Sequence, residues 1–272
     1  MAPFWDGTSW TLVSLAELSL ALDSNSGHTG YHQSGKNFDL FLDYNGGSPR
    51  LVSGPAWTND TTPAVDVVRQ NGIWLNVASM TARFGTSSGD TATIAASRAT
   101  WLGTFRASAN GQTEMSLAPA AAAGGSNNKL FLWNAYNRRP LAALVRESAD
   151  SWTYATASWR AFNNSNSNRL SYVVGLNEDP VAADVRGLMV NSAGTGILGI
   201  GVDSTSAFSG LTGAGGGSTA NVPASASYNG YPGRGFHFLQ MLEQSNSGTT
   251  TFYGDAGAPS NFQQGMLARL AM

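Results

Sequence analysis

The chain has 272 residues, of which only 12% are charged, and its 15 basic and 17 acidic side chains leave a net charge of −2. Ordinary soluble domains carry about 25% charged residues, so neutral polar residues must supply the solubility here. No run of Lys or Arg is present, which argues against nucleic acid and an anionic membrane surface as partners. Cys is absent, which excludes disulfides and thiolate sites. So little charge predicts a subunit whose surface is covered by neighbours in a larger assembly.

The N-terminal residues predict neither a secretory signal nor a membrane span. No basic segment precedes the apolar run at residues 10–22. That run is interrupted by Glu17 and is shorter than the roughly 20 residues that cross a bilayer. We expect it to form a pair of strands or a short amphipathic helix.

The first part of the chain has the pattern of antiparallel β-structure. Alternation of apolar and polar residues, typical of half-buried strands, covers residues 37–43, 64–69, 73–77 and 100–106. Asn-Gly pairs follow three of these segments, at residues 45–46, 71–72 and 110–111. Asn-Gly favours tight hairpins because both central residues of a type I′ turn need positive φ. The pattern predicts an N-terminal β module, a meander of hairpins, over residues 1–116.

The second part of the chain is also expected to be β-structure. An Ala- and Gly-rich crossover at residues 117–128 precedes a C-terminal β module, residues 129–272. We expect strands at 129–134 and 141–146 to pair with each other, and a glycine-rich surface loop at 210–221. Further apolar segments lie at residues 151–154, 158–160, 169–174, 197–202 and 236–242. The predicted fold is all-β, an antiparallel β-sandwich or jelly-roll-like structure, with two packed β modules and long loops.

Two short motifs match catalytic or cofactor signatures without their structural context. Residues 85–89 satisfy G-x-S-x-G and residues 194–199 satisfy G-x-G-x-x-G, but each motif requires a following helix. Both are followed by residues typical of strands, so we interpret them as chance matches. His28, His32 and His237 show no metal-ligand spacing. The sequence therefore predicts no catalytic residue, cofactor or metal site, and a protein that is not an enzyme.

The eight tryptophans are expected to lie mainly in the core or in subunit contacts. A sugar-binding site would instead place exposed aromatic rings beside Asn, Asp or Arg. Two stretches have that composition and supply the candidate interface or glycan contacts, Trp57, Asn59, Asp60, Trp159, Arg160 and Asn163.

A series of short motifs occurs between residues 98 and 256. It begins with Arg98–Arg106 and Gly111–Glu114 and continues through Leu132–Arg138, Ser151–Tyr154, Val174–Asp179, Gly199–Ser204 and Tyr253–Asp255. In this order the motifs resemble a family of tailed-bacteriophage virion structural proteins, and Met115 departs from the acidic residue that the resemblance leads us to expect after Thr-Glu. The resemblance implies that the protein is part of the virus particle more firmly than it implies any role within the particle. It identifies no catalytic residues.

The resemblance implies a virion protein that is assembled in the host cytoplasm and packs against other capsid or tail subunits. Capsid decoration, head fibre or spike, and tail component are the roles that it leaves open. A homo-oligomer is expected, and a trimer suits both fibres and three-fold capsid positions. The alternative is a module of a phage appendage that recognises a host surface glycan. A hydrolase with two convergent carboxylates is the third hypothesis.

Overall fold

The computed structural model describes residues 2–216, 220–257 and 262–272, and the chain is 49% strand and 2% helix. The predicted all-β fold class is therefore confirmed. Antiparallel sheets curl into half-barrels and give a sandwich-like, jelly-roll-like structure. Helical turns of the described ranges are limited to two 3-10 segments, Asn45–Gly47 and Phe162–Asn164.

The chain begins with an isolated hairpin. Strand β1 (Ala2–Trp5) pairs antiparallel with β2 (Trp10–Val13). The Asp6 carboxylate closes the turn, because Oδ1 accepts the N–H groups of Thr8 and Ser9 at 2.7 Å each. The apolar run at residues 10–22 thus supplies one strand, and its remainder forms neither a second strand nor a helix.

The smaller sheet is built mainly from the first part of the chain. It contains β3 (Asn37–Asp43), β4 (Arg50–Ser53), β5 (Val67–Gln70), β6 (Ile73–Asn76), β7 (Met80–Arg83), β8 (Thr91–Ile94) and β9 (Ala99–Arg106). Their order is β5-β6-β9-β3-β4-β7-β8. The long central strands β3 and β9 are buried along most of their length, so they form part of the core.

Two of the three predicted hairpins are confirmed. Strands β5 and β6 join through Asn71 and Gly72, whose φ values of 49° and 86° are those of a type I′ turn. Strands β3 and β4 also pair, across the turn at residues 45–47. The third prediction is wrong, because Asn110-Gly111 forms only a local bridge and β9 pairs with strands distant in sequence.

The larger sheet is built from the second part of the chain. The strands of this part, including β11 of the smaller sheet, are β10 (Asn128–Leu130), β11 (Leu132–Asn134), β12 (Pro140–Arg146), β13 (Ser151–Tyr154), β14 (Arg160–Ala161), β15 (Arg169–Val174), β16 (Val181–Asn191), β17 (Gly196–Val202), β18 (Ser209–Gly215), β19 (Val222–Gly230), β20 (Gly235–Ser245), β21 (Thr250–Tyr253) and β22 (Gly265–Ala271). The strand order in the larger sheet is β10-β15-β20-β17-β18-β19-β16-β21-β13, with β14 beside β20 and β12 joined to β16 through β22.

The expected pairing of segments 129–134 and 141–146 is wrong. The first segment divides at Phe131, so that β10 pairs in parallel with β15 and β11 pairs antiparallel with β9 of the smaller sheet. The second segment, β12, pairs with the C-terminal β22 instead. The sheets otherwise follow the predicted boundary at residues 117–128, and the division into two modules stays a prediction.

The expected surface loop at residues 210–221 is wrong over residues 210–215. Residues 209–215 form β18, which pairs with β17 and β19, whereas residues 216, 220 and 221 lie outside the strands and 217–219 lie outside the described residues. A Cβ atom at Gly213 would overlap the Ser225 carbonyl oxygen. These glycines therefore permit close approach of two backbones, which explains why a glycine-rich segment forms a strand.

The core is continuous between the two sheets. The indole rings of Trp101 on β9 and Trp133 on β11 stack at 5.5 Å, and both side chains are fully buried. Gly175, just after β15, lies against both rings, and a Cβ atom there would overlap Trp133. Both tryptophans belong to the smaller sheet, so it is their contact with Gly175 that packs this sheet against the end of β15 in the larger one.

Gly103 should be sensitive to substitution because β9 bulges there and passes close to β11. The register of β3 and β9 shifts beside Gly103, and an added Cβ atom would overlap the Trp133 carbonyl oxygen. We expect Gly103→Ala to lower the free energy of unfolding by about 1–3 kcal/mol, the range for overpacking. Gly89→Ala, where a Cβ atom meets nothing within 4 Å, is the matched control. Urea unfolding of both variants makes the comparison, and equal stabilities would contradict the assignment.

Candidate functional site

The structure contradicts a sugar-stacking role for Trp57. Its side chain is only 3% exposed, and its indole N–H donates to the Asp39 carboxylate at 2.9 Å. The Arg234 guanidinium lies 5.8 Å from the ring centroid and Pro63 and Val65 lie nearby. Trp57 is therefore a core residue, because a sugar ring cannot reach its face.

Asn59 and Asp60 lie in an exposed part of the loop between β4 and β5 of the smaller sheet. The Asn59 side chain accepts the N–H groups of Thr61 and Thr62, which fixes a local turn. The Asp60 carboxylate binds Arg106 of β9 at 2.8 Å, and its carbonyl accepts the N–H of Phe236 on β20 at 2.9 Å. The loop thus ties β9 to β20, and a glycan contact for these two residues stays a prediction.

The second predicted cluster is directed mainly inward. The Arg160 guanidinium pairs with the buried Glu243 carboxylate and lies 3.8 Å from the Tyr154 ring centroid. The Asn163 amide donates to Glu147 at 3.1 Å. Trp159 is half-buried beside the exposed Phe208, with ring centroids 5.3 Å apart. Arg160 and Asn163 therefore serve internal hydrogen bonds, and contacts by Trp159 stay a prediction.

Asp39 is a buried carboxylate that sequence analysis missed. It lies on β3 and accepts hydrogen bonds from the indole N–H groups of Trp57 and Trp101, at 2.9 and 3.0 Å, and from the Thr104 hydroxyl at 2.6 Å. Burial raises the pKa of Asp39 from 3.8 to about 6, although these three donors oppose the rise. The alternation in segment 37–43 predicts the strand but does not indicate that Asp39 contacts two tryptophans.

Glu147 is a second buried carboxylate, saturated with donors. Its Oε1 accepts the N–H groups of Gly124 and Ala149, at 2.7 and 2.8 Å, and its Oε2 accepts the side-chain amides of Asn163 and Asn168. Gly124 belongs to the crossover at residues 117–128. The carboxylate therefore holds that crossover against the larger sheet.

Glu243 on β20 is a third buried carboxylate. The Trp152 indole donates to it at 2.7 Å, and Arg160 donates through Nε at 2.7 Å. Burial raises the pKa of Glu243, while the hydrogen bond from Trp152 and the charge of Arg160 oppose the rise. These contacts join β13, β14 and β20, so the group acts as a structural acceptor between strands.

In a buried Ser–His pair, the histidine donates the hydrogen bond to the serine, which is the reverse of the direction that nucleophilic catalysis requires. His32 Nε2 lies 2.8 Å from Ser53 Oγ, and His32 Nδ1 accepts the N–H of Asp23 at 2.8 Å. Because Nδ1 accepts, the neutral ring carries its proton on Nε2 and donates it to Ser53. Burial, with the charge of Arg83, lowers the pKa of His32 to about 4, which keeps the ring neutral. The ring cannot take a proton from Ser53 in this arrangement.

The two short motifs have the structural context that the sequence predicts. The G-x-S-x-G match lies in the turn between β7 and β8, where Arg83 donates to the carbonyls of Gly85 and Ser87. The G-x-G-x-x-G match runs into strand β17. Neither match precedes a helix, so neither has the geometry that its signature requires.

In the described part of the chain, no three His, Asp or Glu side chains gather closely enough to hold a metal ion. Within those same residues, no helix has the length and hydropathy needed to cross a bilayer. No protein-family model and no curated protein sequence matches this chain.

An uncharged surface lies around strands β18 and β19. No charged residue occurs in positions 204–233, between Asp203 and Arg234. Phe208, Leu211 and Tyr231 are 48%, 71% and 60% exposed within this segment. Phe208 precedes β18 and Tyr231 follows β19, so the antiparallel pairing places both at the same end of the hairpin. Charged side chains begin on the neighbouring strand β16, where Asp184 lies opposite Ser227 and Arg186 opposite Ser225. Exposed apolar side chains on an uncharged segment are typical of a protein–protein contact surface.

The buried Asp39 predicts a pH-dependent stability. Since its pKa rises from 3.8 in the unfolded chain to about 6 in the fold, its stabilising contribution is complete below pH 3.8 and is lost as pH rises through 6. A pKa that is raised from 3.8 to about 6 corresponds to about 3 kcal/mol over the whole titration. We expect the unfolding free energy of wild type, minus that of Asp39→Asn, to decrease by about 2–3 kcal/mol from pH 4 to pH 7. Urea unfolding across that range measures it, and parallel pH curves for the two proteins would contradict it.

Glu147 should contribute more to stability than an exposed carboxylate. In Glu147→Gln the new amide would face the amide donors of Asn163 and Asn168, so hydrogen bonds to a charged group are lost. We expect a loss of about 1.5–3 kcal/mol. Glu114→Gln is the control, because Glu114 is half exposed and pairs only with Lys129 at the surface, where pairs contribute about 0–1 kcal/mol. Thermal and urea unfolding of both variants make the comparison, and a larger loss in the control would refute the role of Glu147.

Proposed function

We propose that this chain is a non-enzymatic structural protein of a bacteriophage particle, which acts by packing against other virion subunits and against copies of itself. The observation that carries the proposal is the uncharged surface of β18 and β19, with Phe208, Leu211 and Tyr231 exposed on it. A homo-oligomer, with a trimer favoured, buries these side chains without removing any charge of the segment from water.

The sequence resemblance over residues 98–256 supports the virion assignment, and the sandwich-like all-β architecture is compatible with it. The resemblance leaves capsid decoration, head fibre or spike, and tail component as roles. A non-enzymatic role is supported by Asp39, Glu147 and Glu243, whose carboxylates accept hydrogen bonds from within the fold. It is also supported by the hydrogen bond between His32 and Ser53, in which the histidine is the donor. A host-glycan role receives little support from the residues singled out in the sequence, because Trp57 is buried and Arg160 is paired.

Leu211→Lys tests the proposed contact surface. Leu211 is 71% exposed, so the substitution leaves the fold intact while it places a charge in a contact that would have to desolvate it. We expect the dissociation constant of the homo-oligomer to rise by about tenfold or more. Leu12→Lys is the matched control, since Leu12 is 61% exposed on the N-terminal hairpin.

Light scattering coupled to size-exclusion chromatography measures the oligomer over a range of concentrations. A wild-type chain that remains monomeric at every concentration would contradict self-association. Cryo-electron microscopy of intact virions tests the virion assignment directly, and absence of the chain from the particle would refute it.

A further inference from the structure

A cleft of about 360 Å³ lies between the N-terminal hairpin and one edge of the smaller sheet. It is lined by Trp5 of β1, by Asp43, Tyr44 and Arg50 around the β3–β4 turn, and by Arg98 before β9. Residues 92–95, at the end of β8, form the remaining wall. The volume falls within the range of small-molecule sites. None of the six interface or glycan contacts predicted from the sequence lines it.

Two aromatic side chains of the cleft are supported from behind by other rings. Trp5 faces Trp10 across the hairpin with ring centroids 5.3 Å apart, and Tyr44 contacts Phe4 at 5.1 Å. Trp5 and Tyr44 are both half-buried. Rings held in this way lose little conformational freedom when a ligand stacks on them.

The polar side of the cleft is preorganised by an ion pair. Both Nε and Nη2 of Arg50 lie 2.9 Å from Asp43 Oδ2, and the Arg50 guanidinium lies 4.1 Å from the Phe84 ring centroid. Asp43 Oδ1 accepts the N–H of Asn45 at 3.2 Å, so the carboxylate is fixed as well. Arg50 keeps further N–H groups free of Asp43, because a guanidinium carries five donors.

Arg98 adds a second positive charge at the rim of the cleft. Its side chain is exposed and forms no ion pair within 4.0 Å among the described residues. The guanidinium lies against Gly7 of the hairpin turn, where a Cβ atom would meet it. The lining thus holds two arginines and one aspartate. Asp6 of the hairpin turn lies outside the lining, and the hydrogen bonds from Ser9 and Thr8, together with the nearby charge of Arg98, lower the pKa of its carboxyl.

We propose that this cleft binds a saccharide that carries a carboxylate. Aromatic faces suit the apolar faces of sugar rings, and fixed donors and acceptors beside them suit hydroxyl groups. The exposed guanidinium of Arg98, which forms no ion pair within 4.0 Å among the described residues, can offer two N–H donors to one carboxylate. Single-stranded nucleic acid is a poorer match, since it needs a basic groove that follows several phosphates. This binding goes beyond the proposed packing function, which stands or falls separately on the oligomer and virion measurements.

The test uses the full-length protein with N-acetylneuraminic acid and glucuronic acid as probes and glucose as the neutral comparison. Isothermal titration calorimetry measures binding up to about 10 mM ligand, the range of weak single-site affinities. We expect Trp5→Ala to weaken binding of the acidic sugars by about tenfold or more. Arg98→Gln should weaken the acidic sugars by about tenfold and leave glucose binding unchanged.

Trp74→Ala is the matched control, because Trp74 is also a half-buried tryptophan, with the Arg69 guanidinium 5.8 Å from its ring centroid, but lies outside the cleft. It should bind the sugars like wild type, and the near-ultraviolet circular dichroism of all variants should show intact tertiary packing. Absence of binding by any of the sugars would overturn the proposal. Loss of binding in Trp74→Ala but not in Trp5→Ala would overturn it too, as would tighter binding of adenosine monophosphate than of the acidic sugars.

Discussion

The arrangement of strands in this protein depends on carboxylates that are buried and saturated with hydrogen-bond donors. Asp39 receives two indoles and a hydroxyl, Glu147 receives two backbone and two side-chain N–H groups, and Glu243 receives an indole and a guanidinium. Each links segments that are far apart in sequence. A buried charge is tolerated only where such partners replace water, so these three sites fix which strands and loops can meet.

This arrangement changes the meaning of the low charge content. Six of the 17 acidic side chains are buried, namely Asp23, Asp39, Asp43, Glu147, Glu243 and Asp255. The surface is therefore even poorer in acidic groups than the composition suggests. The buried acidic side chains are acceptors of internal hydrogen bonds. The remaining charged residues are too few to cover the surface, so segments such as the hairpin of β18 and β19 carry no charge.

Strands whose alternation is strong were predictable from the sequence, whereas their pairing was not. Segments 37–43 and 169–174 coincide with β3 and β15. The eleven-residue strand β16 was missed because several of its inward positions hold small residues, among them Ala183 and Gly187, which weaken the hydrophobic signal. Pairing of β12 with β22 depends on residues more than 100 positions apart, and local patterns contain no information on such contacts.

The candidate sites were less predictable than the fold for a related reason. Composition alone cannot tell an exposed indole from one whose N–H is bound to a buried carboxylate, and Trp57 is of the second kind. Trp5 and Tyr44 share a cleft because the N-terminal hairpin folds against the β3–β4 turn, a tertiary contact between segments about 40 residues apart.

The absence of charge from residues 204–233 has a consequence for the conditions that an association through this surface would tolerate. Dissolved ions largely screen exposed charges that are more than about 8–10 Å apart at ordinary ionic strengths, and the hairpin itself contributes no such charge. Its own side chains would therefore add no salt dependence to an association through β18 and β19. A measured salt dependence would come from flanking charges, such as Asp184 and Arg186 of β16, which lie opposite Ser227 and Ser225 of β19.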